Sequence, residues 1–269
     1  MNEKTASLCP VVERRLLSDN HVVLTLSGSE IANQAKPGQF VNISANQFLR
    51  RPLGIMQVDR HTGCFSVGIR IQGEGTAWLA DRKVGDTLSV LGPLGHGYDL
   101  AGYDRIITVG GGTGVFPLFF VQQVCREQNI DGIAVCGYRS SQESILADDF
   151  AATACQVLFA SDAGDMMVAG HAALALRQLL DALPEQDGER QLKTAILTCG
   201  PKIMMSAVAD LAKQRGLDCQ VSLEERMACG IGVCLVCVCK TRSDDANQPF
   251  QHKRCCAEGP VFPAGEVIW

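Results

Sequence analysis

Short apolar runs separated by turn-forming residues fill the first hundred positions of the chain. The stretches 22–26, 40–43, 65–71 and 87–91 have strand length and β-branched or aromatic content. Between them, Lys36-Pro37-Gly38, His61-Thr62-Gly63 and Gly92-Pro93-Leu94-Gly95 supply the positive or fixed φ that turns require. This pattern predicts an antiparallel β-barrel over residues 1–101. From Tyr103 the pattern changes. Residues 105–109 form a buried-strand run, a glycine loop follows, and 115–128 has helical spacing and length. Strand-like runs recur at 132–136, 156–160 and 194–198, with helical stretches at 171–183 and 203–215. Alternation of this kind predicts an α/β domain over 102–218, a parallel sheet flanked by helices. Residues 219–269 form a cysteine-rich tail, and 186–190 reads as a solvated loop.

Composition narrows the class. The chain has 269 residues, 46% hydrophobic and 20% charged, enough apolar material for cores and too little charge for disorder. With 24 basic against 29 acidic residues the net charge is -5, which leaves no broad cationic surface for nucleic acid. The start of the chain is polar and lacks the layout of a secretory signal, so the cytoplasm is the expected compartment. The uncharged run between Arg105 and Arg126 is interrupted by glycines and Pro117, and it reads as strand, loop and helix, not as a membrane span.

The thirteen cysteines carry the strongest chemical signal. Cys9, Cys64, Cys125, Cys136, Cys155, Cys199 and Cys219 are scattered, as small buried hydrophobes are. The other six crowd into one segment. Cys229, Cys234 and Cys237, followed by Cys255-Cys256, have the C-x4-C-x2-C…C spacing of plant-type [2Fe-2S] sites. Gly230 and Gly232 allow the chain to bend around an inorganic core with backbone N–H groups toward sulfur. A four-cysteine zinc site normally presents two separated pairs, and three plus one fits it less well. Spacing alone leaves Cys255, Cys256 and Cys239 open as the fourth ligand.

Three weaker signals accompany it. Residues 106–114 end a strand in Gly110-Gly111-Gly112-Thr113-Gly114 before a helix, where exposed N–H groups suit a pyrophosphate or serve a tight turn. Cys199-Gly200-Pro201 ends another predicted strand, so Cys199 either faces the same crevice or sits in the core. Arg50-Arg51-Pro52-Leu53-Gly54 and Gly73-Glu74-Gly75-Thr76 suit a diphosphate and a ring, or a strand edge and a hairpin turn. Trp269 either stacks on a ring or packs.

A barrel bearing R-P-x-x and G-x-G-T, followed by a glycine-loop α/β domain with C-G-P, resembles the ferredoxin-NADP reductase superfamily from about Val11 onward. The run 224–234 (EERMACGIGVC) and the run 256–262 (CAEGPVF) narrow this to the electron-transfer subunits of class 1B dihydroorotate dehydrogenase. The resemblance implies FAD, one [2Fe-2S] cluster and NAD as cofactors. It selects Cys256 as the fourth ligand with Cys229, Cys234 and Cys237. It places Arg51, Pro52, Leu53 and Gly54, then Gly68, Ile69 and Arg70, then Gly75 and Thr76, around FAD. Gly111, Gly112, Thr113 and Gly114, with Cys199, Gly200 and Pro201, fall on the nicotinamide side. The family usually carries Ser or Thr where this chain has Gly54.

The resemblance further implies an oxidoreductase relay without an acid–base triad. An FMN-containing catalytic subunit oxidises dihydroorotate, and electrons pass through the cluster to FAD and NAD+ in pyrimidine biosynthesis, two copies of each subunit assembling. A paralogue serving a hydrogenase, sulfide reductase or bifurcating complex is the alternative enzyme, and a zinc-bearing or redox-sensing module the alternative class. Arg139, Ser140 and Ser141 keep NADP open beside NAD.

Overall fold

The computed structural model describes residues 6–184, 186–187, 190–243, 245 and 247–269. The N-terminal strands β1 (Ser7–Ser18), β2 (His21–Ser27), β3 (Phe40–Ile43), β4 (Arg51–Asp59), β5 (Cys64–Arg70) and β6 (Thr87–Leu94) close a barrel in the order β1-β2-β5-β4-β3-β6. Closure removes sheet edges, and the inward residues Val22, Leu24, Leu26, Val67 and Ile69 pack its centre. Short helices α1 (Ser29–Gln34) and α2 (Glu74–Ala80) pack against it, α1 on β5 and β6 and α2 on β2 and β5.

The sequence pattern missed β1 and β4. In β1 the outward positions Leu8, Val12 and Leu16 are apolar yet exposed, and register shifts between Val11 and Glu13 and between Leu16 and Ser18 break the alternation. The segment at Gly73–Thr76 is corrected from a hairpin turn to the start of α2, and β6 runs on to Leu94, so the turn there begins at Gly95 with φ +73°.

A seven-stranded sheet follows. It comprises β7 (Arg105–Gly111), β8 (Asp131–Tyr138), β9 (Gln156–Ser161) and β10 (Val168–Ala169), then, beyond a two-strand ribbon of β11 (Gln186–Asp187) and β12 (Arg190–Gln191), β13 (Thr194–Cys199) and β14 (Asp218–Ser222). The ribbon lies where a loop was expected, and residues 188 and 189 of that stretch are outside the described residues. The order is β10-β9-β8-β7-β13-β14 and last the antiparallel β17 (Val261–Pro263), which returns from the cysteine-rich tail. Between β14 and β17 the tail forms a hairpin of β15 (Val238–Thr241) and β16 (Gln251–Arg254).

Every residue of β7 is buried, as befits a central parallel strand covered on both faces. Helix α3 (Val115–Gln128) is apolar nearly all round because it lies between barrel and sheet. Its Gln123 exchanges hydrogen bonds with the backbone of Val58 in β4, while Gln122 donates to Thr108 and to the Ile133 carbonyl under the sheet. Helices α4 (Ala147–Thr153), α5 (Ala172–Ala182) and α6 (Lys202–Gln214) complete the layers. No helix among the described residues is long and apolar enough to cross a membrane.

Candidate flavin, nucleotide and iron–sulfur sites

Strand order reverses between β7 and β13, and ligands of open α/β sheets bind at the carboxyl ends of strands at such a point. A cleft of about 850 Å³ opens there, between sheet and barrel. From the barrel it receives Pro52, Leu53, Gly54, Gly68, Arg70 and Thr76. From the sheet side come Gly111, Gly112 and Thr113, with Cys199, Gly200 and Pro201. Thus segments far apart in sequence face one space.

The remaining predicted residues sit just behind the wall. Ile69 is fully buried in the barrel core. The Arg51 guanidinium lies so close over Gly75 that a Cβ there would fall 2.5 Å from its nitrogens. Thr76 Oγ1 accepts N–H bonds from Gln72 and Gly73 at 2.9 and 3.1 Å, which closes the first turn of α2 beside that arginine. Gly114 backs onto the second loop: a Cβ would lie 2.1 Å from the Cys199 carbonyl oxygen. Only glycine permits this approach of the two loops. Arg50, by contrast, is tied to the Asn42 carbonyl and to Ser89, a structural role. Trp269 is half exposed and does not line the cleft.

Several cleft residues were not singled out from sequence. The ring of Phe116, at the top of α3, lies on Gly68 where any side chain would collide at 2.2 Å. Pro117 faces Gly54, and a Cβ at Gly54 would meet it at 3.3 Å, a tight fit that the missing hydroxyl residue would have to accommodate. Glu224 opens onto the cleft but is walled by protein, and loss of solvent raises its carboxyl above the usual range. Burial, with the nearby Glu224, pushes the Cys199 thiol up, so Cys199 is neutral in the pH range of cells. Asp162, directly after β9, and Arg139, directly after β8, line the cleft, as does Glu143, which lies by His21 with Arg70. Below them Asp165 accepts hydrogen bonds from the Ser161 and Ser141 hydroxyls and the Ser141 N–H, which hold its carboxyl down at about 2.

The cysteines of the tail arrange themselves in pairs. Cys237 Sγ and Cys256 Sγ are 3.2 Å apart, and the Cys256 N–H donates to Cys237 sulfur at 3.4 Å. In the preceding loop the N–H groups of Ile231 and Val233 point at Cys229 Sγ at 3.4 Å, and the Cys229 N–H at Cys234 Sγ at 3.5 Å. Partial burial opposes ionisation of Cys229, but these N–H donors and the Cys234 thiol prevail and bring it to about 6. Gly230 and Gly232 turn the loop at φ +73° and +86°. Cys255 points away, its thiol paired with that of Cys239 inside a core with Phe262 and Val267. Among the described residues no three His, Cys, Asp or Glu side chains close on one metal ion. Four sulfurs in two pairs, ringed by backbone donors, have the chemistry of a two-iron, four-thiolate ligand set.

Both cysteine-bearing segments rest on the barrel. Asn42 Nδ2 in β3 donates to the Cys229 carbonyl at 3.3 Å, and a Cβ on Gly230 would strike that nitrogen at 2.6 Å. At the end of β6 the His96 N–H donates to the Gly259 carbonyl at 2.6 Å, three residues past Cys256.

Comparison with known proteins gives this architecture a family. Residues 224–268 match the iron-sulfur cluster binding domain of dihydroorotate dehydrogenase B. Over 266 residues the chain is 36% identical to the dihydroorotate dehydrogenase B (NAD(+)) electron transfer subunit of Geobacillus thermodenitrificans, covering 96% of both chains. The chain belongs to that family. The Enterococcus faecalis member is 33% identical, with 99% of each chain covered. Among solved structures, a chain of the NADH-dependent reduced ferredoxin-NADP oxidoreductase, described for flavin-based electron bifurcation, is similar with a TM-score of 0.83 and 28% identity, over 98% of this chain and 90% of that one. A ferredoxin NADP+ reductase from Neisseria gonorrhoeae with bound FAD and NADP shares the fold, with a TM-score of 0.64 and 16% identity over 80% of this chain and 93% of its own. Members of this family are oxidoreductase subunits carrying FAD, a [2Fe-2S] cluster and NAD, and the cleft and the thiolate set described above fit these groups.

Proposed function

We propose that this protein is the electron-transfer subunit of a B-type dihydroorotate dehydrogenase. It receives electrons that an FMN-containing catalytic subunit takes from dihydroorotate and delivers them to NAD+, in pyrimidine biosynthesis. When bound, FAD supplies the exchange between hydride and single electrons, and the [2Fe-2S] cluster the single-electron relay. One observation carries the reading. Asn42, which holds the Cys229–Gly230 turn, is the register partner of Pro52 in the flavin-side strand β4. Adjacent strands lie about 4.7–4.9 Å apart, so one side chain and one strand spacing separate the cluster loop from the flavin segment.

The residues divide the work accordingly. Residues 1–101 hold FAD. Pro52, Leu53, Gly54 and Gly68 with Ile69 behind them shape the ring pocket, and Arg51, Arg70, Gly75 and Thr76 address the charged diphosphate. Residues 102–218 take the nicotinamide nucleotide, its pyrophosphate on Gly111, Gly112, Thr113 and Gly114, with Cys199, Gly200 and Pro201 beside the nicotinamide. Residues 219–269 hold the cluster through Cys229, Cys234, Cys237 and Cys256, and β14 and β17 anchor that segment in the sheet. Asp162 and Arg139 both line the sheet side of the cleft, and NAD(+) is the acceptor that the matched relatives' names carry, so NAD is taken as the acceptor here. Around the loop, Ile231, Val233, Leu235 and Val236 are exposed apolar residues, a face for the catalytic subunit. Two copies of each subunit, in the cytoplasm, complete the reading.

The test is anaerobic purification of the intact chain with flavin and iron analysis. FAD together with a [2Fe-2S] absorption spectrum is expected, and a colourless protein with neither would sink the proposal. The likeness to the bifurcating oxidoreductase favours a second reading, a reductase subunit of another redox complex. Both readings predict the same cofactors and part only at the electron donor.

A further inference from the structure

The proposed cluster draws three ligands from the loop at 229–237 and the fourth from the turn after β16, so it persists only while these two segments stay together. One side chain spans them. Arg254 Nη1 donates to the Gly232 carbonyl at 2.8 Å, in the middle of the Cys229–Cys234 loop. The rest of its guanidinium is held by Glu258, with Nε–Oε2 at 3.0 Å and Nη2–Oε1 at 2.5 Å, and the Arg254 N–H donates to Glu258 Oε2 at 2.6 Å. The loop lies directly on this turn: a Cβ at Gly232 would come 2.9 Å from that of Ala257. Neither Arg254 nor Glu258 lines the cleft or belongs to the proposed ligands.

We infer that the Arg254–Glu258 pair is a charge-balanced clamp on the cluster, which retains the metal by joining the two ligand segments and sets its reduction potential. This rests on the cluster reading above. Each reduction adds one electron, hence one negative charge, to the iron–sulfur core. A guanidinium bonded to the ligand loop favours that added charge, and the carboxylate behind it opposes it. Both side chains are 37% exposed, so water damps the two effects but leaves their signs. Loss of either partner strips the other of its balance. The planar fork also matters for holding, because it bonds the loop carbonyl and the carboxylate at once.

The experiment compares wild type, R254Q, R254K and E258Q as full-length protein purified anaerobically. The readouts are the cluster midpoint potential, from titration followed by electron paramagnetic resonance, and the rate of iron loss to a chelator. R254Q is expected to lower the reduced-to-oxidised ratio at a fixed potential several-fold and to release iron several-fold faster. E258Q is expected to move that ratio the opposite way, because the guanidinium then stands unbalanced. R254K keeps the charge and loses the fork, so its potential stays near wild type while iron leaves faster. Shifts of the same sign in R254Q and E258Q, or wild-type potential and retention in both arginine variants, overturn the clamp. If R254Q does not fold, the deciding comparison is R254K, expected at wild-type potential with faster iron loss, against E258Q, expected to raise the reduced-to-oxidised ratio. A wild-type protein without any cluster overturns the function proposal instead, so the two failures are distinct.

Discussion

Substitution of the two adjacent cysteines separates ligand from core residue. Cys256 Sγ lies 3.2 Å from Cys237 Sγ, and Cys256 is 2% exposed. Serine there removes one of four thiolates, and an alcohol that stays protonated near neutral pH is a poor replacement, so Cys256→Ser loses the cluster. Cys255 is fully buried and paired with Cys239 in an apolar cluster. Serine there puts a hydroxyl where a thiol packed. Leaving it short of a hydrogen-bond partner costs about 1–3 kcal/mol. For a protein of this size each kcal/mol moves the melting temperature by roughly 2–4 °C. Cys255→Ser should therefore melt several degrees lower yet keep the wild-type iron content and resonance spectrum. Cys256→Ser should lack both. The assay is iron analysis with a thermal melt on anaerobic protein. The reverse pattern, iron lost from Cys255→Ser and kept in Cys256→Ser, refutes the ligand assignment.

Other predictions follow from the cleft. In Gly114→Ala the new methyl would sit 2.1 Å from the Cys199 carbonyl oxygen, so the loops must part at a cost of about 1–3 kcal/mol; NADH affinity and melting temperature should fall while flavin and iron content hold, and unchanged NADH titrations would contradict the contact. Asp162→Ser removes a carboxylate from the cleft that would oppose a 2′-phosphate, so the preference for NAD over NADP should narrow several-fold; an unaltered ratio of kcat/KM values would remove Asp162 from cofactor choice. The Asp165 carboxyl, held at about 2, lies below its unfolded value of about 3.9, so its hold on Ser141 is complete above that value and lost as pH falls toward 2. The protection of the Ser141 amide, its exchange rate taken relative to the intrinsic rate at each pH, should fall over that window and lose this dependence in Asp165→Asn.

Much of the frame was readable because periodicity reports burial. Helix α3 spans 115–128 as its spacing predicts, and the inner strands β7, β8, β9 and β13 announce themselves as apolar runs. Strand β1 did not, because its outer face is apolar and its register slips, so alternation fails where it is most needed. Helix α2 was obscured by Gly73 at its N-cap and Gly75 in its first turn, which read as a hairpin. Cysteine spacing announced the metal site, but only folding brings Cys256 to Cys237 and turns Cys255 toward Cys239. The resemblance chose Cys256 where spacing could not. Asp162 stands on a loop where no period marks a lone carboxylate, and Glu224 entered only as part of the run that carries the resemblance. Arg254 and Glu258 are four apart outside any helix, so their ion pair carried no sequence signal either.

The proposed relay is defined by where its electrons come from and where they go. The most direct measurement is dihydroorotate-dependent NAD+ reduction, under anaerobic conditions, by the complex isolated from its native cells through this chain, with the co-purifying subunit identified in the same sample. NADH formation is expected, with an FMN-containing dihydroorotate dehydrogenase subunit present. A complex that carries FAD and the cluster, reduces acceptors with NADH and ignores dihydroorotate would contradict it and transfer the protein to another redox partner.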